Sequence, residues 1–148
     1  MEKRYETFTL LIASVSRCIR KIKTEEVSEY NLKSVHVSCL YYLYKKAPLT
    51  AKELCDVCDE DKALISRSID YLEKNDFIFC EENNRKRYKS ALFLTEKGEK
   101  VAKIIADKTE SMLERASVGL EEKDREIFYR SLLLISDNLK KICKNYGE

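Results

Sequence analysis

Two groups of residues in this chain have the side chains that grip a polyanion. Lys62, Ala63, Leu64, Ser66 and Arg67 stand within six positions of one another, and Arg85, Lys86, Arg87 and Lys89 follow about twenty residues later. A guanidinium such as that of Arg67 matches guanine O6 and N7 as a bidentate pair, a serine hydroxyl bonds a base or a phosphate, and an ammonium such as that of Lys62 suits a phosphate. Alone, a basic helix face reads as a solvated surface and a basic loop as a solubilising one. The case for nucleic acid rests on their pairing, with no acid between Arg85 and Lys89. A net charge of +2 over 148 residues makes the placement of charge matter more than its total.

The elements that must position these residues can be read from capping signals. Pro48 pushes Ala47 out of the helical region and stops a helix covering roughly 33–45. Thr50 with Glu53 three residues on forms a capping box, which starts a short helix reaching about Cys58. Asp59-Glu60-Asp61 then supplies a turn and a second N-cap for a helix to about Lys74. Two short capped helices around a tight turn read as helix-turn-helix, whose second helix presents its first residues to the major groove. Ile65, Ile69 and Leu72 fall on the opposite stripe and are expected in the core. Asn75-Asp76 ends that helix in a left-handed conformation. Phe77–Cys80 and Ala91–Leu94 are β-compatible runs flanking the polar tip 83–87, so a hairpin with a basic tip is expected.

The outer segments read as long amphipathic helices. Tyr5, Phe8, Ile12, Val15, Ile19 and Ile22 recur every three or four residues; a second such stripe runs through Ile127, Leu132, Ile135, Leu139 and Ile142. Between them Thr95 caps a helix to about Ser117, and Gly119 interrupts before the last helix, about 121–145. Three Gly, one Pro and 36% charged residues leave little turn chemistry for an all-β chain. The expected fold is mainly α with a small β-hairpin wing, a single winged helix-turn-helix domain over 1–148. Its DNA-binding lobe is 33–95, with dimerisation helices at 1–31 and 96–148. The end stripes exceed what the small centre can cover, and pairing across a two-fold axis would bury them, hence an expected homodimer.

In this order and spacing the chain resembles the MarR family of bacterial transcriptional regulators over nearly its whole length. The resemblance rests on Leu49-Thr50 with Glu53-Leu54, on Asp61-Lys62 leading to Ser66-Arg67, on Leu72-Glu73-Lys74, and on Leu94-Thr95-Glu96-Lys97-Gly98. It implies a homodimer with end helices at the interface, two winged lobes on a pseudopalindromic operator of double-stranded DNA, usually in repression, and often a small-molecule inducer. Members commonly carry Asp-x-Arg in the wing; counting back from Leu94-Thr95, Lys86 and Tyr88 hold those places. Arg85 or Arg87 then substitutes at the minor groove, or the wing touches only phosphates.

Other chemistries are thinly represented. The sole histidine, His36, with Tyr41, Tyr44 and Phe8, is a candidate ligand pocket, against the plainer reading of an aromatic core. Six cysteines, at 18, 39, 55, 58, 80 and 143, sit in apolar-periodic segments, as small hydrophobes do in a reducing compartment. Cys55-x-x-Cys58 lacks the second ligand pair that zinc needs, so no metal site is expected. Cys18, beside Arg17 and Arg20, is the candidate redox thiol. No nucleophile–base pair or glycine-rich phosphate loop is present, which argues against an enzyme, and no cofactor is expected. The charged start and the lack of an apolar run of about 18 residues lead to the expectation of a cytoplasmic protein with no membrane partner. Two rival readings remain: a cysteine-based redox-sensing regulator, and a winged helix that docks proteins without an operator.

Overall fold

A computed structural model describes residues 4–81 and 87–147. Its elements are α1 (Arg4–Glu25), a 3-10 turn (Ser28–Tyr30), α2 (Ser34–Lys46), α3 (Ala51–Cys58), α4 (Lys62–Lys74), β1 (Ile78–Cys80), a second 3-10 turn (Arg87–Lys89), β2 (Leu92–Leu94), α5 (Glu96–Ala116) and α6 (Glu122–Lys144). Two compact units, 1–110 and 111–148, divide the chain within α5.

In the first unit, α2 is the central strut and packs against α1, α3, α4 and β2. Leu40 and Leu43 of α2, Leu54 of α3, Ile65 and Leu72 of α4 and Ile105 of α5 are buried in one cluster. Val27 and Leu32, from the polar stretch between α1 and α2, join that core at 2% and 3% exposure. No periodic pattern marks them, because an irregular segment has no repeat to read.

Local chemistry sets the element boundaries. Thr50 and Glu53 form the expected capping box, the Thr50 amide donating to Glu53 Oε2 at 2.7 Å and the Glu53 amide to Thr50 Oγ1 at 3.2 Å. At the end of α4, Asp76 takes a left-handed φ of 62°. The Phe77 amide reaches back to Leu72 O at 2.9 Å and the Asp76 amide to Glu73 O at 3.0 Å. These bonds are a Schellman closure, with Asp where glycine is usual.

The sheet is antiparallel, pairing Ile78 with Leu94, Phe79 with Phe93 and Cys80 with Leu92. The two strands are shorter than the expected runs, because Phe77 is spent on the α4 closure. Leu49 adds an unforeseen bridge to the other edge of β2, its carbonyl accepting from the Leu92 amide at 2.9 Å. One apolar residue between Pro48 and Thr50 is too short a signal to read as a strand.

The run Thr95-Glu96-Lys97-Gly98 acts as a clamp. Thr95 Oγ1 donates to Asp76 O at 2.6 Å and accepts the Gly98 amide at 2.9 Å, while Lys97 Nζ donates to Asn75 O at 2.8 Å and lies 4.2 Å from the Phe77 ring centroid. The start of α5 is thereby bolted to the α4–β1 junction.

Neither α1 nor α6 buries a residue. Tyr5, Leu10, Leu11 and Val15 are exposed on α1, and Phe128, Leu133, Leu134 and Leu139 on α6. Among the described residues no helix is long and apolar enough to cross a membrane.

Candidate nucleic-acid interface

The geometry of α4 follows from its cap. Asp61 is extended, at φ −71° and ψ 158°, and its Oδ1 accepts the Leu64 amide at 2.8 Å, which anchors the first turn immediately after the turn from α3. The helix then splits by period. Ile65, Ser68, Ile69 and Leu72 are buried, whereas Lys62, Ala63, Ser66 and Arg67 are exposed and Leu64 is half-buried. Ser68 faces the core at no polar cost because its hydroxyl donates to Leu64 O at 2.7 Å. Four of the five candidate positions on this helix thus share its solvent side.

Of the wing candidates, Arg85 and Lys86 lie outside the described residues. Arg87 belongs to the second 3-10 turn, and Lys89 is exposed. This turn packs against α3 and brings the half-buried Tyr88 to the start of α4, where Lys62 Nζ lies 4.5 Å from the ring centroid. A cation over an aromatic face at this range contributes about 0.5–1 kcal/mol when exposed. The first residue of α4 and the base of the wing therefore form one surface. Tyr88 is the residue that sequence reasoning left without a role, and its only signal was an aromatic set between two basic residues.

His36 is 5% exposed and takes part in a structural tie. Its Nδ1 accepts the Lys33 amide at 3.0 Å, its ring stacks on Tyr71 with centroids 4.3 Å apart and planes 2° from parallel, and the Tyr71 hydroxyl donates to Asn31 O at 2.7 Å. The start of α2 is so fastened to α4. Burial, and secondarily the Lys33 charge, push the imidazole below its ordinary 6.5. The folded state therefore binds the proton less readily than the unfolded chain. The stabilisation is complete above the unfolded value and is lost as pH falls through 6.5 toward the lower folded value. Urea unfolding at pH 7.5 and 5.5 should show a drop in midpoint for the native chain. The drop should be smaller for His36→Asn, whose side-chain oxygen replaces Nδ1 as acceptor without titrating; equal drops would show that His36 is not the titrating group.

Tyr41 and Tyr44 are half-buried, with Lys45 Nζ 5.8 and 5.9 Å from their ring centroids, and Phe8 is exposed on α1. An open hollow of about 510 Å³ is lined by Tyr30, Asp76, Thr95, Lys97 and Val101 among others, and none of the four pocket candidates borders it. Cys18 is exposed; Cys55 and Cys58 are half-buried on α3, where Leu54 is the fully buried residue. Among the described residues no group of three or more His, Cys, Asp or Glu side chains is arranged to hold a metal ion.

No protein-family model matches the chain. It is 28% identical over 113 residues, 76% of its length and 82% of the relative's, to the uncharacterized HTH-type transcriptional regulator YwoH of Bacillus subtilis (strain 168). Among solved structures it superposes on a MarR-family transcriptional regulator of Listeria monocytogenes complexed with a 26-mer DNA. The TM-score is 0.82, with 24% identity and 93% of each chain covered. The transcriptional regulator SlyA gives a TM-score of 0.83 at 21% identity, covering 90% of this chain and 94% of that one. The fold is that of the MarR-family regulators. In MarR terms α3 and α4 are the helix-turn-helix, and β1, β2 and the turn between them are the wing.

Proposed function

We propose that this chain is a sequence-specific DNA-binding regulator, acting as a homodimer on a pseudopalindromic operator and repressing transcription from it. One observation carries the reading: the exposed face of α4, with Lys62, Ser66 and Arg67, is continuous with the wing base through Lys62 and Tyr88. Helix and wing then meet the same duplex, Arg67 at a base edge and Lys62 and Lys89 at phosphates. The Listeria neighbour, solved with DNA, supports this reading by analogy of fold. The unburied apolar residues of α1 and α6 support self-association, since such patches mark interaction surfaces.

The test is binding to the DNA immediately upstream of the chain's own gene against random duplex of equal length, across a salt series. Tight, two-fold-symmetric protection of the upstream DNA is expected, and a reporter driven by that DNA should fall when the protein is supplied. Equal, weak binding to both duplexes with no steep salt dependence would favour a protein-docking module instead. Lys89→Ala should weaken binding to both duplexes alike and reduce the slope of log K against log salt by about one unit. An unchanged slope would remove Lys89 from the phosphate contacts.

A further inference from the structure

Lys62 is a poor choice for the first residue of α4 on helix grounds, because a cation in the first turn opposes the helix dipole. Its side chain is nevertheless placed. The ammonium lies 4.5 Å from the Tyr88 ring centroid, closer than Lys45 and Lys46 come to their tyrosines at 5.8 to 6.0 Å. Among the described residues no carboxylate forms an ion pair with it, and the adjacent Asp61 is spent on the Leu64 amide. The ring is itself held in place: Tyr88 is half-buried in the middle of the 3-10 turn that packs against α3, and the buried Ser90 follows two residues on. Lys62 remains exposed.

An aromatic face and a carboxylate both orient an ammonium, with different consequences. A carboxylate cancels the charge that it holds. A ring attracts the cation through its quadrupole and leaves the positive charge facing solvent. A lysine stem otherwise samples many rotamers, and ordering it opposes binding.

We propose that Tyr88 is a positioning residue for DNA binding, whose ring holds the Lys62 ammonium at the place where it meets a phosphate before the duplex arrives. This rests on the regulator reading above. Tyr88 acts through Lys62 and not on the duplex. Its contribution is preorganisation, about two- to fivefold in affinity. The gain is the same on every sequence, because the phosphate is common to all of them.

The test is a double-mutant cycle of Lys62→Met and Tyr88→Leu in the full chain, titrated across a salt series against the upstream DNA and against random duplex. Lys62→Met should weaken binding to both duplexes and lower the slope of log K against log salt by about one unit. Tyr88→Leu should weaken both by about two- to fivefold when Lys62 is present and add no loss in the Lys62→Met chain. Losses that combine independently would overturn the proposal, since the ring would then touch DNA itself or merely pack the wing. Tyr88→Phe keeps the ring and should preserve the coupling; its loss there would assign the effect to the hydroxyl and overturn the role of the π face. Should Tyr88→Leu fail to fold, phenylalanines of increasing fluorine content at position 88 weaken the quadrupole at nearly constant size. Affinity should then step down with each fluorine in the chain with Lys62 and stay level in Lys62→Met, whereas a level series in both would sink the idea. A native chain with no salt-dependent binding to either duplex would end the regulator reading and this role with it. Salt-dependent binding with uncoupled losses would end this role alone.

Discussion

Gly98→Ala should be among the most damaging single substitutions in this chain, costing about 3 kcal/mol or more and lowering Tm by roughly 10 °C. Helix propensity predicts the opposite sign, since Ala in a helix is favoured over Gly by about 1 kcal/mol. Packing decides the outcome. A Cβ on Gly98 would sit 1.8 Å from Phe77 O and 2.8 Å from Phe77 C, both backbone atoms, so no flexible side-chain end can move aside. Relief requires pulling α5 off the α4–β1 junction. That would break the hydrogen bonds from the Thr95 amide to Phe77 O and from Thr95 Oγ1 to Asp76 O, 3.0 and 2.6 Å long. Thermal and urea unfolding of the variant measure this directly. A loss below about 1 kcal/mol would mean that the start of α5 slides freely past Phe77.

Arg67→Ala should cost about 1–3 kcal/mol of binding to the operator, a loss of roughly five- to 150-fold in affinity, and relax base preference at the position it reads. Binding to random duplex should change much less, because a base-edge contact contributes to the difference between sequences and not to the shared phosphate attraction. The stability of the protein should hardly alter, as Arg67 is on the exposed face of α4. Titrating operator and random duplex at one salt concentration separates these cases. Equal losses on both would make Arg67 a phosphate contact. The Asp61 cap supplies the geometric basis for this prediction, since it orients the helix start from which Lys62, Ser66 and Arg67 project.

The elements of this fold were legible wherever a local signal sufficed. Thr50, Glu53, Asp61 and Asp76 name the ends of α3 and α4 through bonds to amides within a few residues, so a linear reading reaches them. The stripe Ile65, Ile69 and Leu72 likewise separates core from surface on α4, because helical period is a property of the chain itself. By contrast, the Leu49 bridge to β2, Val27 and Leu32 in the core, and the stack of His36 on Tyr71 join residues whose sequence neighbours carry no matching pattern. The motif Thr95-Glu96-Lys97-Gly98 was visible as a pattern, but its reason lies in the Phe77 carbonyl 21 positions earlier.

The candidate sites divide in the same way. The residue types at 62–67 and their spacing belong to the sequence alone, because one helix period puts them on one side. Only the tertiary structure brought Tyr88 against Lys62, and it left His36, Tyr41, Tyr44 and Phe8 outside the open hollow by Tyr30. Periods, caps and turns act over a few residues and are written in order along the chain. Contacts between helices depend on the register and angle at which those helices pack, which no short stretch of sequence encodes.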